Sequence, residues 1–146
     1  MVDDLSSALA LRLRDIARML DRLDRLESGT GQWLTLQGDA ALKEAAREMT
    51  LRALRVAADP INFAILKHLA VHSSVPLADL EMATGHGRLA LSERVSDLVQ
   101  VGLAGRNIDT DHVQATPASA ALVAWMNSIS EATANKLADA LQLTKK

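Results

Sequence analysis

The chain contains no cysteine and no tyrosine, and only one phenylalanine and two tryptophans among 146 residues. Without thiols there are no disulfides, no thiolate metal sites and no cysteine nucleophiles. Alanine (25) and leucine (24) together make up about a third of the chain. Strand-rich cores lean on aromatic and β-branched side chains, so this balance predicts helices. No apolar run reaches bilayer length, and the opening stretch, Met1 to Ser7, is acidic where a signal peptide would be basic. The expectation is a soluble, cytoplasmic protein with no membrane partner. An excess of positive charge is also missing: the net charge is −2, with residues 1–58 neutral and residues 59–146 carrying the whole deficit. That is not the footprint of an avid polyanion binder.

What is present is a series of helical stripes. In residues 3–28, Leu9, Leu13, Ile16, Leu20 and Leu23 follow the 4-3-4-3 spacing of a coiled-coil seam. The seam runs for only about three heptads, enough to pack on a partner but marginal alone. Arg14, Arg18, Arg22 and Arg25 on its outer side alternate with Asp15, Asp21 and Asp24, which reads as a solvated face and not as a phosphate strip. Ser28 to Gly31 break the pattern, and Gln32 to Gly38 read as a lone strand or an extended linker. The chain divides there into an N-terminal helix with its linker, 1–38, and a domain over 39–146.

In the second part, Asp39 is placed to cap a helix over 40–58, with Glu48 and Arg52 spaced as a supporting pair. Asp59-Pro60 ends it and opens a helix over 60–72 with Phe63, Leu66 and Leu69 turned inward. Val75-Pro76 closes that helix. A short helix follows at 77–83, then a turn at Gly85, a helix over about 88–101 and a stop at Gly102. Residues 103–115 hold the one hairpin-like stretch, and Thr116-Pro117 caps a last helix of about 24 residues. The apolar stripe of that last helix comprises Leu122, Trp125, Met126, Ile129, Leu137 and Leu141.

A short helix, a glycine turn, a second helix and a hairpin make a helix-turn-helix with a wing, in which the first helix braces the second so that it can enter a major groove. Leu80, Ala83, Leu91, Val95 and Leu98 are the inward set expected to lock the two helices together. The stretches Ala57-Ala58-Asp59-Pro60, Phe63 to Ala70, Asp79 to Gly85, Leu91 to Leu103 and Ala115-Thr116-Pro117 occur in one order without a gap across the helix-turn-helix. In these stretches, about half of the chain, the sequence resembles the arsenic-repressor (ArsR-type) family of winged-helix regulators. The resemblance implies an all-α fold with a small β-hairpin wing, a homodimer joined by long N- and C-terminal helices, and double-stranded DNA read by the second helix. It carries groove-facing roles to Gly87, Arg88, Leu89, Ser92, Glu93 and Ser96, with Arg94 beside them and Arg106 on the wing.

The family pattern has polar residues where this chain has Leu89, a polar donor where it has Glu93, and a basic wing where it has Asp109 and Asp111. Residues 79–112 hold three basic and six acidic side chains. A second function therefore competes with DNA binding: a winged-helix module that has given up DNA and binds a protein through its acidic wing and Leu89. Two long amphipathic helices carry more apolar surface than a monomer of this size covers, so a homodimer is expected. Its interface would comprise Leu9, Leu13, Ile16, Leu20, Leu23, Trp125 and Ile129. His68 and His72 have the i,i+4 spacing of a metal pair, but no third ligand completes a set, so no metal site is expected. Trp33 and Trp125 read as core anchors before pocket walls. No nucleophile elbow, metalloprotease helix motif or nucleotide-binding glycine fingerprint occurs, so neither catalysis nor a cofactor is expected.

Overall fold

A computed structural model of the chain describes residues 33–143, together with the helical Ser6 and Ala10. The seam formed by Leu9, Leu13, Ile16, Leu20 and Leu23 lies outside the described residues.

Helix α1 (Trp33–Ala57) bends at Gly38, whose φ of 76° and ψ of 175° only glycine adopts without strain. The expectation of an extended segment over 32–38 is thus corrected: residues 33–37 are helical, and the interruption is confined to one glycine. From the kink onward α1 buries Ala53 and Ala57, with Leu54 and Val56 packed against the same core. Helix α2 (Pro60–His72) begins where the sequence marks it. The Asp59 carboxylate accepts from the N–H of Ile61 (2.9 Å) and of Asn62 (3.2 Å), and Pro60 occupies a position whose own N–H would have gone unpaired. Ile65, Leu66 and Leu69 are buried, while Phe63, expected inside, is half-buried at the edge of the core.

Strand β1 (Ser74–Pro76) was not legible in the sequence. It pairs antiparallel with β3 (His112–Ala115), which also pairs antiparallel with β2 (Ala104–Asn107), so the hairpin is part of a three-stranded sheet in the order β1-β3-β2. Val75 lies opposite Val113, and both are buried. Between β1 and β2 run α3 (Leu77–Thr84) and α4 (Arg88–Gln100). Gly85 ends α3 in the left-handed conformation (φ 72°). Leu77, Leu80, Leu91, Val95 and Leu98 from these two helices join the core, but Ala83, expected to join them, is exposed. The chain leaves α4 through Gly102 (φ 81°), with the Leu103 N–H bonded back to the Leu98 carbonyl at 2.9 Å.

The last helix, α5 (Pro117–Leu143), starts from a reciprocal cap. Thr116 Oγ1 accepts from the Ser119 N–H, and Ser119 Oγ accepts from the Thr116 N–H. The Thr116 hydroxyl also donates to the Gly102 carbonyl, fastening α5 to the end of the α4 segment. Ala118, Leu122 and Val123 are buried, and Trp125 and Met126 are partly buried against the core. From Asn127 to Gln142 every side chain is exposed, including Ile129 (46%), Leu137 (59%) and Leu141 (57%). The molecule is therefore a helix-rich body on a small antiparallel sheet, with one helix running on past the core. Among the described residues no helix is long and apolar enough to cross a membrane.

Candidate functional site

The residues singled out in the sequence converge on α4 and the hairpin. Gly87 is the extended residue before α4 and offers no side-chain cap. Leu91, Val95 and Leu98 face the core, which turns Leu89, Glu93 and Ser96 outward; Leu89 is 77% exposed. Arg88, on the first turn, reaches the hairpin and forms an ion pair with Asp111. Arg106, on β2, bonds the other oxygen of the same carboxylate at 2.9 Å and donates to Ser92 Oγ at 2.8 Å. One aspartate and one serine thus hold two guanidiniums, and the start of α4 is clamped to the hairpin. The Arg106 Nε is buried and, among the described residues, has no hydrogen-bond partner.

The turn itself explains how Asp111 comes to sit there. The Asn107 side-chain oxygen accepts from the N–H groups of Asp109 (3.0 Å) and Thr110 (3.3 Å), a side chain imitating a backbone turn. Asp111 follows with φ 54°, and its carbonyl accepts from the Leu77 N–H at 3.0 Å. Hydrogen bonding from Arg106 outweighs the opposing effect of desolvation and, with a further contribution from Arg88, holds the Asp111 carboxyl below the usual carboxylate range.

Arg94 does not join this cluster. It lies on the other flank of α4 and bonds the Asp59 carboxylate at 2.5 Å, so the residue that caps α2 also anchors α4. Hydrogen bonding from Arg94, with help from the capping N–H groups, lowers the Asp59 carboxyl as well. Both depressed carboxyls contribute stability that is present in full above the unfolded carboxylate value and is lost as pH falls through the folded one. Urea unfolding at pH 6 and at pH 3 checks this: the midpoint falls on acidification, and in an Asp59→Asn, Asp111→Asn double variant it falls by less.

Asp111 and Asp59 are the functional residues that sequence reasoning missed. Asp111 counted only as acidity on the wing, and Asp59 only as a cap. Of their arginine partners, Arg88 and Arg94 lie 23 and 35 positions away, beyond any local spacing rule, and Arg106, five positions from Asp111, meets it only because the hairpin turns between them.

The His68 and His72 rings lie with centroids 4.5 Å apart and border a cleft of about 380 Å3 shared with Val75, Asp79, Met82 and Ala83. Among the described residues no group of three or more histidine or carboxylate side chains is placed to hold a metal ion. Comparison with protein-family models finds none that matches the chain, and a search of curated proteins also finds no match.

Proposed function

We propose that the protein is a cytoplasmic, homodimeric winged-helix regulator that binds double-stranded DNA, with α3 and α4 as the helix-turn-helix and β2–β3 as the wing. The order helix, strand, helix, helix, hairpin, with β1 completing the sheet beside β3, supports that reading. The observation that carries it is the cluster of Arg88, Asp111, Arg106 and Ser92. Two guanidiniums share one carboxylate, so this cluster itself carries one net positive charge where a helix in the groove and a wing on the backbone would meet phosphate. Arg88 remains 59% exposed and has donors to spare.

Fluorescence anisotropy with mixed genomic duplex DNA tests the proposal. The expected result is binding on the order of micromolar at low salt that weakens steeply as salt rises. A flat titration at low salt would overturn it. That outcome would favour the competing protein-binding module, which the outward-facing Leu89 (77% exposed), Met82 (86%) and Ile108 (85%) support.

The dimer in this proposal is supported by the projecting end of α5. Sixteen consecutive exposed residues, 127–142, form a rod of about 24 Å that leaves Ile129, Leu137 and Leu141 open to solvent, an apolar stripe that a second copy would cover. Sedimentation velocity at micromolar concentration is expected to give a dimer. Leu137→Glu with Leu141→Glu is expected to give a monomer that keeps its helical circular dichroism.

A further inference from the structure

Helix α4 has two flanks between its buried face and its exposed crest. Arg88 and Ser92 lie on the flank fastened to the wing. Arg94 and Asp97 lie on the opposite flank, toward Asp59 and α1. On this second side a cleft of about 200 Å3 is bordered by Arg52 and Arg55 of α1 and by Asp97 and Gln100 of α4. Arg52 and Arg55 are three residues apart on one helix, so they share a side, and both are exposed. Among the described residues neither has an ion-pair partner, Glu48 included, although its spacing from Arg52 suggested one. Arg55 suits the last turn of α1 by the helix dipole, but that accounts for neither Arg52 nor the position of the pair beside α4.

We propose that Arg52 and Arg55 form a second phosphate-binding edge, on the flank of α4 away from the wing and toward its C-terminal end, complementing Arg88 and Arg106 at its N-terminal end. The proposal rests on the DNA-binding reading above and extends it. A major groove is about 12 Å wide and is bordered by two phosphate strands, so a helix lying in it has a backbone on each flank. The wing cluster serves one strand. Residues 79–112 carry three basic and six acidic side chains, and on the second flank their Arg94 is bonded to Asp59 while Asp97 is acidic, so they offer the other strand no unpaired positive charge. The free pair on α1 supplies that missing charge from outside the helix-turn-helix, which is why a count restricted to that motif makes the head look unfit for DNA.

The test is the salt dependence of duplex binding for the full chain and for Arg52→Ala with Arg55→Ala. Each phosphate contact contributes about 0.9 to the slope of log affinity against log salt, so losing two makes the slope shallower by roughly 1.8. Affinity at low salt is expected to fall about tenfold. Arg52→Lys with Arg55→Lys is expected to retain the slope, because a phosphate edge needs charge more than fork geometry. A thermal melt overlaying wild type shows that the exposed alanines leave the fold intact. An alanine variant with the wild-type slope would overturn this inference and leave the DNA reading standing. A wild-type chain that binds no duplex at all would overturn both.

Discussion

Leu69→Ala is expected to destabilise the protein by about 3 kcal/mol, the largest effect of any single change considered. Leu69 is fully buried on α2, the helix that packs against α1, α3, α4, α5 and the sheet. Truncation removes the transfer free energy of three carbons and opens a void that helices on several sides cannot all close at once. A fall in melting temperature of about 10 °C would accompany the loss for a chain of this size. Leu89→Ala is the matched control. It removes the same atoms from a side chain that is 77% exposed, and it is expected to change stability by no more than about 0.5 kcal/mol. Thermal melts and urea titrations of the two variants, followed by circular dichroism, check the contrast. Equal melting temperatures would mean that α2 is not the centre of the core.

The second large effect falls on binding. Arg88→Ala with Arg106→Ala is expected to weaken duplex binding by about a hundredfold at low salt, each lost charged contact being worth on the order of 1–3 kcal/mol. Asp111→Asn provides the opposite sign. It keeps the shape of the side chain and frees two guanidiniums from their shared carboxylate, raising the positive charge of the head by one. Non-specific binding to duplex is expected to tighten and its salt slope to steepen, while the chain becomes less stable because a neutral amide with one acceptor oxygen replaces the carboxylate that held both the part-buried Arg106 and Arg88. A surface that bound an acidic or apolar protein partner would give no such ordered response to duplex. Anisotropy titrations of the three proteins at two salt concentrations separate these cases.

Features of the fold governed by near neighbours could be read directly from the sequence. Asp59 and Pro60 mark the start of α2, Gly85 and Gly102 its successors' turns, and Thr116-Pro117 the start of α5, because capping and left-handed turns depend on side chains a few positions away. Strand β1 was hidden for the opposite reason. Three residues ending in proline show no alternation, and the strand exists only because Gln114, Val113 and His112 run alongside it. The segment Trp33–Gln37 was misread because five residues are too few to separate a period of 2 from one of 3.6. In the site, the outward positions of α4 followed from the spacing of Leu91, Val95 and Leu98. The charge balance did not. A net count does not show which charges pair, and Asp59 and Asp111 each hold an arginine that lies far along the chain.

Asp111 has one consequence beyond charge. Its carbonyl is held by the start of α3, its carboxylate by the start of α4 and by β2, and its backbone by a left-handed turn leading into β3. A hairpin secured at so many points is no separate flap. Its conformational freedom was surrendered when the chain folded, so a partner that touches hairpin and helix together meets a single preformed body and bears no further ordering entropy there. The angle between the two is a fixed property of the protein. A partner that fits one must fit the other, and selectivity can arise from geometry before any base or side chain is read.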